Sequence, residues 1–286
     1  MSRPHVDFID APAVPLLPVD SGPLAGSAQR LLSQDTGSGA FTALATWPAG
    51  FSAELARLGS LLELFVVRGA VIANGRAAPE GSYVRIPAGT VTATVIATVG
   101  CDVLVLAEGP LEPATLGAGR DASGNAGGAP GGAPGGELLL IESEQLPWIG
   151  EAWEGCLPGF ALKALWTDES AGPTLLLVGN VPRFGSGPEF HECPEELFVL
   201  EGDWTSRRGL MGKWGYFWRP ELITHGPYRS ETGSLCLVRG HGHLVANWID
   251  DPDATPEQNR AWIEARRAAA PPEAPRPGAP RPGATP

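Results

Sequence analysis

Apolar positions in this chain fall in short runs rich in β-branched residues, each closed by glycine, proline or a charged turn. In the first half these runs are LLELFVVRGAVI, GSYVRIPAGT and VTATVIATVGCDVLVL. In the second half they are PTLLLVGNVP, EELFVLEGDW, GYFWRP and GSLCLVRG. Runs of this kind, punctuated this way, predict strands. A single helix is predicted, in IDDPDATPEQNRAWIEARRAAA, starting near Thr255 or Pro256. Glu257 comes early and Arg266 and Arg267 come late, a charge order that suits the helix dipole.

The two halves also match each other. Leu62-Glu-Leu-Phe-Val-Val-Arg-Gly69 aligns with Glu195-Glu-Leu-Phe-Val-Leu-Glu-Gly202, and a turn, an aromatic strand, a proline and two further apolar strands follow each. This predicts a duplicated β-domain. Between Gly109 and Gly136 the chain is rich in glycine and alanine and ends GGAPGGAPGG, which reads as a flexible linker. The expected organisation is a first β-domain over 1–108, the linker over 109–136, a second β-domain over 137–248, and a helix with a tail over 249–286. Proline-rich residues 271–286 are expected to be disordered.

Composition narrows the function classes. The 286 residues include 38 glycines and 29 prolines, too many breakers for a helical bundle but suited to an all-β protein with many turns. A formal charge of −12 argues against a nucleic-acid partner. Apolar runs stay short of a bilayer span, so no membrane partner is expected. The N-terminus has no basic region followed by an apolar stretch, so no secretory signal is expected. Cys101, Cys156, Cys193 and Cys236 form no CxxC pair, which favours a reducing, cytoplasmic setting over a disulfide framework.

Histidine distribution is the most informative feature. The five histidines are His5, His191, His225, His241 and His243, so none lies between His5 and His191. Imidazole chemistry therefore belongs to the second copy. If the segment before Gly202 is extended, residues 191, 193 and 195 share a face, bringing His191, Cys193 and Glu195 together. His225 follows the strand-ending Pro220. Two imidazoles with a carboxylate form the ligand set of open transition-metal sites.

These residues resemble the cupin superfamily, whose first motif runs G…HxH…E…G and whose second runs G…P…H. His191, Glu195 and Gly202 match the first motif; Gly215, Pro220 and His225 match the second. EELFVLEGD and THGPYRSETGSLCLVRG are similar to the ChrR-like branch. The resemblance is strong over residues 174–248 and reduced to strand rhythm over 41–108. It implies an all-β bicupin, with two jelly-roll β-barrels in tandem. There are two departures: Cys193 stands where the motif has its second histidine, and the His-to-Glu segment is short. The implied ligands are His191, Glu195 and His225 for one divalent transition metal (Fe(II), Zn or Mn), with Cys193 as a fourth ligand, a reactive thiol or a small core residue. Leu58, Leu62 and Thr92 hold the matching positions of the first copy, which is expected to be metal-free and to serve packing, pocket closure or dimerisation.

Around this site Trp204, Trp218, Tyr228 and Arg229 are candidates for a substrate pocket. Glu196 has a twin in the ligand-free copy, Glu63, which favours a structural role, and the His241-Gly-His243 pair reads as a solvated loop. The functional expectation is an oxygenase acting on a small organic molecule; a metal-dependent isomerase or hydrolase is equally compatible with the ligands. The other reading is a zinc- or small-molecule-responsive ChrR-like regulatory module, although no sigma-binding helical domain precedes the barrel. A homodimer is compatible with either reading.

Overall fold

The computed structural model describes residues 3–112, 136–150, 157–168, 170 and 172–269. The predicted runs become strands such as Leu62–Arg68, Ser82–Ile86, Cys101–Ala107, Gly172–Asn180, Glu195–Gly202, Gly215–Arg219 and Ser234–Gly240. The architecture is all-β: two jelly-roll units in tandem followed by a short helix. In the first unit a seven-stranded antiparallel sheet packs against the four strands Phe51–Glu54, Thr94–Ala97, Ala70–Ala73 and Arg76–Pro79. Leu62, Leu64 and Val66 from the large sheet and Val71, Ala73 and Val95 from the small one share one apolar core. The second unit repeats the plan, with Leu197, Val199 and Val238 facing Trp204 and Met211.

Each large sheet borrows an edge strand from the other half of the chain. Val6–Asp10, at the start, pairs with Gly215–Arg219 in the second unit, Ile9 opposite Tyr216. Leu139–Glu142, after the linker, pairs with Ser82–Ile86 in the first unit, Ile141 opposite Tyr83. A 3-10 turn follows each lent strand, Ala11–Ala13 and Ser143–Gln145, and the chain then re-enters its own sheet at Leu17–Pro18 or Ile149–Gly150. The units are therefore joined by reciprocal strand pairing, independently of the linker.

Between the large sheets lies a further apolar cluster, including Leu44, Phe65 and Leu104 from one side and Leu177, Phe198 and Leu237 from the other. A charged seam runs through it. Strand alternation turns Glu63 and its twin Glu196 outward from their cores, and each accepts a hydrogen bond from an equivalent tyrosine, Tyr83 and Tyr216. Buried Arg239 joins the halves: its guanidinium lies 2.5 Å from Glu63 and 3.3 Å from Glu196, and it also pairs with Glu108. Glu196 is also approached by Arg3 Nη2 at 3.2 Å and by His241 Nε2 at 3.3 Å. Burial pushes Glu196 up, but Arg3, the His241 hydrogen bond and Arg239 hold it well below the usual carboxylate range. The twin glutamates are thus structural, whereas His241 belongs to this interface and not to a solvated loop.

The helix runs Pro256–Ala269. Thr255 N–H donates to Gln258 Oε1 at 2.7 Å and Gln258 N–H returns to Thr255 Oγ1 at 3.3 Å, a reciprocal cap with proline at the first helical position. Most of the expected linker (113–135) and the expected disordered tail lie outside the described residues. The described ends of the linker are fixed to the first unit, through Gly59 N–H on Glu112 O (2.9 Å) and Thr90 Oγ1 on Gly136 O (2.9 Å). No described helix is long and apolar enough to cross a membrane.

Candidate metal centre

The second unit gathers its ionisable groups at one end of its interior. Pro188 precedes a two-residue strand, Glu189–Phe190, that pairs with Asn247–Trp248. Alternation sends Glu189 and His191 to one side and fully buried Phe190 to the other, against Leu222 and Ile263. Glu189 and His225 exchange two backbone hydrogen bonds of 2.9 Å. Glu195 opens the next long strand, opposite Arg219. Three backbone segments therefore meet at this point.

Ligand atoms of Glu189, His191 and His225 lie within 4.8 Å of one another. Glu195 is set between the imidazoles, with Oε1 3.7 Å from His191 Nε2 and Oε2 3.6 Å from His225 Nε2. The imidazole centroids are 5.1 Å apart. His191 Nδ1 hydrogen-bonds the Val245 carbonyl at 2.8 Å, which directs Nε2 towards the cluster. Both ring nitrogens of His225 and Glu195 Oε2 are buried without a hydrogen-bond partner. Buried polar atoms are normally paired, so orphans gathered at one point call for a ligand.

Electrostatics agree with a cation. Burial, then Arg219 and His191, push His225 well below the usual imidazole value, so the ring is neutral and its lone pair is free. Burial, opposed by His191 and reinforced by Glu195, raises Glu189 to about 7. A buried carboxylate and a half-buried one beside two imidazoles are a costly arrangement alone and a suitable one around a divalent ion. The donor set fits such an ion.

Glu189, His191 and Glu195 of this cluster form part of the wall of a cavity of about 1160 Å³. Its inner wall is apolar, with Leu162, Leu176, Val178 and Leu197 among the lining residues, and the helix residues Trp262 and Ile263 close another side. Of the pocket residues proposed from sequence, Trp204 lines this cavity, and Tyr228 stands between Trp204 and His225 at ring separations of 5.0 and 5.6 Å. The other two are directed elsewhere. Trp218 faces the inter-sheet cluster beneath the Arg3 guanidinium, because it shares the outward parity of Glu196. Arg229 is exposed on a short strand opposite Thr205. Inward parity brings Arg219 instead, with Nη1 3.9 Å from Glu195 Oε2.

Of the four ligand candidates, His191, Glu195 and His225 come together, whereas the Cys193 sulfur turns to the loop and donates to the His243 carbonyl at 3.6 Å. Burial pushes that thiol up to about 12, so it remains protonated. Sequence reasoning missed Glu189. The signal was present: Glu189 and His191 are alternate residues, and taking them as the HxH pair removes both the substitution by Cys193 and the short His-to-Glu segment.

In the first unit the equivalents hold no donors for a metal. Leu58 and Leu62 are buried in the apolar core, and Thr92 is exposed.

The fold is that of two cupin-type jelly-roll units in tandem. Solved structures with this fold include a dioxygenase candidate from Nostoc punctiforme (21% identity, 87% of this chain and 92% of that chain, TM-score 0.69). They also include Ylba from E. coli (15%, 83% and 92%, TM-score 0.53) and the Lactobacillus farciminis oxalate decarboxylase in its formate complex (10%, 85% and 88%, TM-score 0.54). At these identities the likeness concerns the fold. The signature of DUF4437, described as a domain of unknown function, matches residues 12–247, and the chain belongs to that family. No curated protein matches the sequence.

Proposed function

We propose that this protein is a metal-dependent enzyme whose second unit holds one divalent transition metal through His191, His225, Glu195 and Glu189, and that it oxygenates a small apolar organic molecule. One observation carries the reading: the unpartnered ring nitrogens of His225 and the unpartnered Glu195 Oε2 converge beside a large, mainly apolar cavity that Glu189, His191 and Glu195 help to line. Nitrogen and oxygen donors without a thiolate favour iron or manganese over a structural zinc site. A metal bound there supplies coordination positions for substrate and dioxygen. His225 contributes a neutral ring, His191 is oriented from behind by the Val245 carbonyl, and the two carboxylates balance the ion's charge. The apolar wall excludes water and orients the substrate body, with Trp204 as its aromatic face.

The test is reconstitution under nitrogen with Fe(II), Mn(II) or Zn(II), followed by dioxygen-uptake measurements across a panel of small aromatic and aliphatic substrates. Uptake with iron or manganese, and label from ¹⁸O₂ in the product, is the expected result. Turnover that proceeds equally without dioxygen would replace oxygenation by isomerisation or hydrolysis at the same centre. Cobalt substitution checks the thiol: a sulfur-to-metal charge-transfer band that Cys193→Ser abolishes would return Cys193 to the ligand set.

A further inference from the structure

We infer that the C-terminal helix is a positioning element for the metal centre, acting through Asn259 on the backbone that carries His191 and His225. The inference rests on the metal reading above, and its helix residues lie outside both sequence motifs.

The link begins at Leu222. Its φ of 64° places a non-glycine residue in the left-handed region, a conformation kept only where neighbours fix it. Both of its backbone groups are held. The Leu222 N–H donates to the His191 carbonyl at 2.8 Å, and the Leu222 carbonyl accepts from Asn259 Nδ2 at 2.9 Å. Asn259 Nδ2 also donates to Thr224 Oγ1 at 2.7 Å, and Thr224 Oγ1 donates to the Ala254 carbonyl at 2.7 Å. One amide group thus fixes the residue bonded to His191 and the residue preceding His225.

Asn259 is 1% exposed and, with Ile263, is one of the two buried residues of the helix. A buried side-chain amide is costly unless every partner is in place, so its presence reflects the contacts it makes. The helix adds a second hold on the same segment. The Trp262 ring meets Phe190 edge-on at 5.7 Å, between Glu189 and His191, and Arg267 pairs with Glu192. Trp262 and Ile263 also line the cavity, so one element orders the ligand backbone and walls the substrate space. Groups that orient ligands from behind affect metal affinity without touching the ion.

The experiment uses the full chain with Asn259→Asp, which keeps the shape but removes the donor, alongside Asn259→Ala. Thr224→Ser serves as the conservative variant, Glu264→Ala as an exposed helix control and His225→Ala as the ligand control. Two readouts are taken: Co(II) titration of the metal-free protein, and the imidazole ¹H–¹⁵N resonances of the same protein without metal. Both Asn259 variants are expected to bind Co(II) about 10- to 100-fold more weakly, with an altered d–d spectrum. The His191 and His225 resonances should move while His241 stays in place. Thr224→Ser and Glu264→Ala should match the wild type. Unmoved His191 and His225 resonances in a folded Asn259→Asp protein would overturn the inference. If the wild type takes up no Co(II), the metal reading fails by itself, and the imidazole resonances alone decide the role of the helix.

Discussion

The two units share one strand plan, yet one is filled and the other is hollow. Leu58 and Leu62 complete the apolar core of the first. At the matching positions of the second, His191 and Glu195 face a cavity of about 1160 Å³. Outside the cores the halves stay alike: Glu63 with Tyr83 repeats Glu196 with Tyr216, and each half lends the other an edge strand. The Glu–Tyr pairs of the seam recur in both copies, although Leu106 stands in the first copy where Arg239 stands in the second; the interior positions are apolar in the first copy and carry His191 and Glu195 in the second. Function on this fold is written in the interior residues and the volume beside them.

The sharpest way to break the comparison is to exchange interior residues. Leu62→Glu would place an unpaired carboxyl in a packed core and should destabilise the protein by about 5 kcal/mol, read from urea unfolding. A loss within about 1 kcal/mol would mean that the first interior is not packed as described.

The shared seam comes next. Arg239→Ala removes the guanidinium that three carboxylates of the interface share, and a loss of about 4 kcal/mol is expected. A change typical of an exposed pair would contradict the seam's role. Acid should act on the same groups. Arg239 first, against burial, and then His241 hold Glu108 below the usual carboxylate value. A depressed folded value stabilises the protein fully above the unfolded value of about 4.3, and the contribution fades as pH falls through the lower folded value. The urea midpoint should therefore drop on acidification below about pH 4.3, more steeply in the wild type than in Arg239→Ala. Parallel acid profiles would remove the seam from the explanation.

The smallest effect on stability should come from the reciprocal position. Glu195→Gln removes a buried charge that lacks a full set of partners, so stability should stay within about 1 kcal/mol of wild type or rise slightly. A loss comparable to that of Leu62→Glu would make Glu195 a structural residue.

Much of this was legible in the sequence, for local reasons. Strand runs, the duplication and the capped helix follow from short-range patterns, and His191, Glu195 and His225 stand out because the first half has no histidine beyond His5. Strand exchange was not legible: VDFID and LLIE are short, and their pairing with residues far along the chain leaves no local mark. Glu189 is hard to single out because carboxylates are common in this chain, with 32 acidic residues against five histidines, although its alternation with His191 is visible. Trp218 was placed in the pocket by proximity in sequence, whereas the parity of its strand turns it outward with Glu196. The role of Asn259 was hidden because its partners, Leu222 and Thr224, belong to an irregular segment that carries no periodicity.

The central claim, that the second unit alone is built around a metal, is tested most directly by elemental analysis of protein purified without a histidine tag. The wild type should carry about one divalent transition metal per chain, and His225→Ala should carry almost none while remaining folded. Equal metal content in the two proteins would contradict the claim.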